Sequence, residues 1–353
     1  MSKAEKIKNF DPNGIGDKNA NIFGLPFTVD EAEVVIIPVP WEVTVSYSAG
    51  TAKGPAAVFD ASFQVDLYDP EIKDAWKTGI AMDEIPRELS SRSKDLRQKA
   101  EKYIGMLEEG KDPQSHEGMQ KIRKKINTSC MELNSWVKSR ALYFMNKNKV
   151  PALLGGDHST PLGLMQALAS KHKSFGILQI DAHADLREAY EGFEFSHASI
   201  MFNALKIPQV KKLVQVGIRD YCESEAKLVQ QSKGRVVCFY DRDIKTKQYK
   251  GASWADICRD IIKTLPQDIY LSFDIDGLDP KLCPNTGTPV AGGFEAEQVL
   301  FLIQEIVDSG KTIIAFDINE ISPGEDEWDA NVGARMLYRI ANLVARSNGK
   351  SPK

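Results

Sequence analysis

The chain has 353 residues, is 42% hydrophobic and carries a formal net charge of -4. That length allows one large α/β domain or two smaller ones, and the near-balanced charge leaves no basic footprint for nucleic acid while not repelling a small cation. The opening MSKAEKIKNFDPNG lacks the apolar core of a signal peptide, and no window of roughly 18 apolar residues could span a bilayer, so a soluble cytoplasmic protein without membrane or nucleic-acid partners is expected.

Residues 1–31 are polar and turn-rich and read as an arm over the domain. EVVIIPVPW then reads as a strand, and TVSYSAGTAKGPAAVFDAS as a glycine-rich loop entering a helix at Gly54-Pro55. Residues 92–147 hold two charged helical runs split by KDPQS, an antiparallel pair expected to lie outside the sheet core with its charges solvated. From 150 to 346, apolar runs (VPALLGG, FGILQI, KLVQVGI, RVVCFY, IYLSF, TIIAFDI) alternate with helical stretches. The pattern predicts a single α/β domain over 1–353 with one mostly parallel sheet of about eight strands. Five scattered cysteines without CxxC spacing fit reduced thiols; Cys222 and Cys283 lie near loops that matter below.

In such a sheet, ligands bind beyond the carboxyl ends of the strands. Asp157 and His158 follow VPALLGG; Asp181, His183 and Asp185 follow FGILQI; Asp274, Asp276 and Asp279 follow IYLSF; Glu320 follows TIIAFDI. Carboxylates and imidazoles crowded on one rim repel and desolvate each other unless a cation lies between them. With Asp157 and Asp279 left to supporting or turn roles, two His and four Asp exceed what one metal needs and fit two metals sharing carboxylates. Oxygen and imidazole donors without thiolate suit manganese, with nickel, iron or cobalt as alternatives. His116 and His172 lie in charged helical surroundings and are expected to be bystanders.

These stretches carry a family resemblance. GGDHS (155–159), DAHADLREAYEGFEFSHAS (181–199), SFDIDGLDP (272–280), TGTPVAGGF (286–294) and FDINEISP (316–323) resemble the signature segments of the ureohydrolases, the group of arginase, agmatinase, guanidinobutyrase and formimidoylglutamase. The resemblance runs over about residues 32–346. It implies the three-layer α/β/α arginase-type fold, a trimer or hexamer, and a dinuclear Mn2+ centre, with Ni2+ as the alternative, that hydrolyses a guanidinium to urea and an amine by attack of a bridging hydroxide. Position by position, it makes His158 and His183 terminal ligands of the two metals, Asp181 and Asp274 bridging ligands, and Asp185 and Asp276 the completing ligands of the first and second metal. It makes His197 the proton shuttle and Glu320 the carboxylate that grips the guanidinium.

The small cationic guanidino substrate is less clearly written. Arginase is disfavoured, because Arg187 and Phe193 stand where it has small polar contacts and Cys222 stands where it has an aspartate after GIRD. The wording DLREAYEG..SH is most similar to agmatinase, which splits agmatine to putrescine and urea; guanidine hydrolase is the alternative, with guanidinobutyrase, formimidoylglutamase and a non-catalytic homologue further back. Glu194, with Glu191, is the expected acceptor for a distal amine, whereas Phe193, Phe195 and Trp328 are the expected lid of a smaller guanidine pocket. A zinc deacetylase on the same fold would show adjacent histidines, and this sequence has no His-His pair.

Overall fold

The computed structural model describes residues 1–352. Eight strands form one sheet in the order β2-β1-β3-β8-β7-β4-β5-β6, every neighbouring pair parallel. They are β1 (Val34–Val39), β2 (Ile80–Met82), β3 (Val150–Gly155), β4 (Phe175–Ile180), β5 (Val210–Val216), β6 (Val236–Phe239), β7 (Asp268–Asp274) and β8 (Thr312–Asn319). The three-residue β2 at the edge has no counterpart in the sequence reading, being too short for a periodic signal.

The apolar runs are continuous because both faces of the sheet are covered. Alternate residues go to opposite layers: Ile36, Leu154, Leu178 and Leu271 to one, Ile37, Leu153, Ile177 and Tyr270 to the other. Each fully buried aliphatic side chain contributes about 1.5–3 kcal/mol. The first layer is closed by α2 (Gly54–Ser62), α9 (Trp254–Thr264), α10 (Ala296–Asp308) and α11 (Trp328–Ser347), the second by α3 (Arg87–Glu108), α4 (Glu117–Asn146), α5 (Leu162–Ala169) and α6 (Ile200–Leu205). The short α1 (Lys3–Asn9) opens the chain, while α7 (Glu223–Gln231) and α8 (Asp241–Tyr249) follow β5 and β6.

Two expectations change here. The helix pair is not outside the core: Leu96, Tyr103, Ile126, Leu133, Val137 and Phe144 pack with β1 and β3 in the second layer. Nor is the arm merely laid over the domain, since Ile22, Phe23, Leu25 and Phe27 are buried in the first layer. In both segments the charges mark an exposed face and say nothing of what the opposite stripe touches. Among the described residues, no helix is long and apolar enough to cross a membrane.

Candidate metal centre

The four central strands, β3, β8, β7 and β4, are neighbours, and the chemistry sits at their carboxyl ends. Ile180 pairs with Phe273, so Asp181 and Asp274 leave adjacent strands side by side. His158 follows a tight exit from β3: a Cβ on Gly156 would lie 1.9 Å from the Trp41 carbonyl oxygen, so only glycine lets the chain turn there. Asp185 and Glu320 hold left-handed backbone, φ 54° and 63°, a conformation that is kept at functional sites when the surroundings enforce it.

Around His158 Nδ1 stand Asp181 Oδ2 at 3.0 Å, Asp185 Oδ2 at 3.1 Å and Asp274 Oδ2 at 3.1 Å. His183 Nδ1 lies 3.0 Å from Asp276 Oδ2 and 3.7 Å from Asp181 Oδ1. The two oxygens of Asp181 thus face different histidines, and two groups able to hold a metal, His158–Asp181–Asp185 and Asp181–His183–Asp276, share it. Backbone amides fix these carboxylates: His183 N donates to Asp181 Oδ1 (2.6 Å), Asp276 N to Asp274 Oδ1 (2.9 Å) and Ala182 N to Asp276 Oδ1 (3.0 Å).

The arrangement fits a metal. Ser272 Oγ donates to Asp317 Oδ1 at 3.1 Å and therefore accepts from His158 Nε2 at 2.9 Å, which in the neutral imidazole leaves the lone pair on Nδ1. That buried nitrogen has no hydrogen-bond partner among the described residues, although three carboxylate oxygens converge on it. Without a cation, the cluster balances its charge only by keeping protons. Burial would lower both imidazoles, yet the carboxylates (Asp181, Asp185 and Asp274 for His158, Asp276 and Asp181 for His183) hold them well above their usual range. Burial, reinforced by Asp181, pushes Asp185 up; burial, reinforced by Asp276 and Asp181, does the same to Asp274. Asp317, behind Ser272, is pushed by burial up to about 6.

His197 and Glu320 meet beside this cluster, Nδ1 3.7 Å from Oε1, and His197 Nε2 is 3.5 Å from Ser46 Oγ. Glu320 Oε1 accepts from His158 N at 2.8 Å, while its buried Oε2 has no partner among the described residues. Burial would lower the His197 imidazole; Glu320, Asp157 and Asp185 outweigh it and raise it. A cavity of about 480 Å³ opens over these groups, walled outward by Ser46, Tyr47, Arg187, Tyr190, Asp220 and Tyr221.

The structure brings His158, Asp181, His183, Asp185, Asp274, Asp276, His197 and Glu320 together but not the expected substrate contacts. Phe193 is fully buried against Tyr103, ring centroids 5.2 Å apart, because its turn faces the helix pair. Glu194 is exposed and Phe195 packs at the edge of the second layer. Trp328 starts α11 and donates Nε1–H to the Lys281 carbonyl at 3.0 Å, so it roofs nothing. The sequence reading missed Ser46, Tyr47, Asp220 and Tyr221, which come from other loops, and also Ser272 and Asp317. Ser272 could have been found, since it lies two residues before Asp274 on the same strand face. Asp157 caps its own turn, Oδ1 accepting from Ser159 N at 2.9 Å, and Asp279 accepts from Lys281 N at 3.1 Å. Burial pushes up the Cys283 thiol, and Cys222 is the N-cap of α7.

The model of the arginase family matches residues 32–342, nearly the whole chain and every group just described. This chain belongs to the arginase family. It is a ureohydrolase, a hydrolase of guanidino C–N bonds. Arginase-family relatives include the N(1)-aminopropylagmatine ureohydrolase of Thermus thermophilus, 29% identical over 320 residues that cover 91% of this chain and 93% of that one. The agmatinase of Bacillus anthracis is 26% identical over 308 residues, covering 85% and 87%. Among solved structures, the agmatine ureohydrolase of Thermoplasma volcanium superposes with a TM-score of 0.69 at 21% identity, covering 98% of this chain and 99% of that one, which shows the shared arginase fold.

Proposed function

We propose that this ureohydrolase acts on agmatine, releasing urea and putrescine, with two divalent cations held by His158, Asp181, Asp185, Asp274, His183 and Asp276. The observation that carries the reading is Asp181, shared by two histidine–carboxylate groups in one cavity with the open Oε2 of Glu320. The donor set, oxygen and imidazole without thiolate, suits manganese first and nickel second, and such a pair lowers the pKa of a water towards neutrality and so supplies the nucleophile.

The chain's own groups do the rest. Glu320 is oriented by the His158 amide on Oε1, which leaves Oε2 to accept from the planar guanidinium. His197, kept proton-rich by its carboxylate neighbours, is placed to protonate the departing amine, without which the C–N bond does not break. A cavity of about 480 Å³ lies within the roughly 300–1,000 Å³ that small ligands occupy. Its outer part offers tyrosine faces for a methylene chain and cation, with Asp220 as the carboxylate for a terminal ammonium. The names of the relatives point the same way. The lid expected over a guanidine-sized pocket is not formed by Phe193 or Trp328.

One observation favours a second reading. Arg187 lines the same cavity, its guanidinium 4.8 Å from the Tyr190 ring centre, and a cation there suits the carboxylate tail of 4-guanidinobutyrate. Urea release should be measured with added Mn2+ or Ni2+ on agmatine, guanidine, 4-guanidinobutyrate and arginine. Agmatine is expected to lead in kcat/KM by about tenfold or more, roughly 1.4 kcal/mol of transition-state discrimination. A higher value for another compound overturns the substrate, and no urea from any of them overturns the reaction.

A further inference from the structure

We propose that the α3–α4 hairpin is the device that positions His197, through Arg97 of α3 and Glu191 of the loop before the histidine. The inference rests on reading His197 as the proton donor. Two loops flank that imidazole, and the hairpin grips both. On one side, Ser46 is the residue whose hydroxyl faces His197 Nε2. Its loop is tied to α3 twice: the Glu42 amide donates to Ser93 Oγ at 3.0 Å, and the nearly buried Arg97 donates Nη1–H to the Val45 carbonyl.

On the other side lies a two-residue turn, closed by Phe193 N donating to the Tyr190 carbonyl (2.8 Å) and Tyr190 N to the Phe193 carbonyl (3.2 Å). Asn127 of α4 braces its C-terminal side twice, donating to the Gly192 carbonyl at 3.3 Å and accepting from Glu194 N at 3.0 Å. Both turn residues have positive φ, Glu191 at 53° and Gly192 at 81°. Such turns favour Asn-Gly, so a glutamate at the first position is strained. Its Oε2 is buried with no hydrogen-bond partner among the described residues. The charges acting on this carboxylate are the cations of His197 and Arg97 and the like charge of Glu108. Strain at one residue, together with a buried, unpartnered oxygen in the field of both an arginine and the proton donor, points to positioning. The other charges acting on His197 are Glu320 just after β8, Asp157 after β3 and Asp185 in the loop after β4.

The test uses Glu191→Asn, Glu191→Gln, Arg97→Met and the Arg97→Met/Glu191→Gln double variant, with His197→Asn as control. The substrate is whichever of agmatine, guanidine, 4-guanidinobutyrate and arginine the wild-type enzyme turns over fastest. Metal content, Tm, kcat, KM and the pH profile are recorded. Glu191→Asn should raise Tm, because asparagine accepts the turn, yet lower kcat about tenfold with KM within about twofold and metal content unchanged. In Glu191→Gln the alkaline limb of kcat should move to lower pH, since a charge that favours the imidazolium is gone. The double variant should fall no further than the worse single one, as expected of groups acting together. Wild-type kcat in Glu191→Asn, or losses that track metal content or Tm across the set, would overturn the inference. Full turnover in His197→Asn would instead overturn the role of His197 itself.

Discussion

Asp181 is completely buried, and its two oxygens serve two different imidazoles. The raised groups around it would tie the stability of the protein to pH and, through the proposed cations, to metal. In the metal-free protein, burial and carboxylate neighbours hold Asp185 and Asp274 above the usual range, burial takes Asp317 to about 6, and surrounding carboxylates outweigh burial to raise His158 and His183. Each raised group binds more protons folded than unfolded between its two pKa values, so stability falls as pH rises through that window. For the carboxylates the fall begins near an unfolded value of about 4, and for the histidines near about 6.5. EDTA-treated protein is therefore expected to lose Tm as pH rises from about 4 to about 8. Added Mn2+ should restore more at the upper end, where the ligands are deprotonated. Scanning fluorimetry across that range checks this, and a chelated Tm that climbs with pH would contradict it.

At the scale of elements, the hairpin behind the site makes a glycine packed against it and a glycine within it behave oppositely. Gly192, at φ 81°, would place a Cβ 2.9 Å from both Arg123 Cδ and the Tyr103 hydroxyl. Gly105, in α3, would place one in open space. Gly192→Ala should cost about 1–2 kcal/mol and slow turnover by disturbing the His197 loop, whereas Gly105→Ala should add roughly 0.5–1 kcal/mol. Urea unfolding with equal m-values reads both, and a neutral Gly192→Ala would show that the loop tolerates displacement from the helices.

The same elements show what a sequence makes legible. Runs such as FGILQI and TIIAFDI are strands because sheet geometry needs β-branched, apolar residues on both faces, and the run itself reports that need. The 92–147 helices were visible as helices but not as a core layer, because periodicity records an apolar stripe and not its partner.

For the molecule as a whole, the sheet order decides the site. Strands β3, β8, β7 and β4 are distant in sequence and adjacent in space, so four short motifs arrive on one rim. Their ligand types were readable locally, since each lies directly after an apolar run. The outer cavity was not, because Tyr47, Tyr190, Asp220 and Tyr221 come from three separate loops whose approach only the folded chain defines. Phe193 and Trp328 were misplaced for the same reason: position in a loop does not say which way a ring turns. The claim on which the rest depends is that two cations share Asp181. Anomalous diffraction from crystals grown with Mn2+ tests it directly. Two peaks about 3.5–4 Å apart are expected, one beside His158 and Asp185, the other beside His183 and Asp276, with Asp181 reaching both, and a single peak with full urea-releasing activity would contradict it.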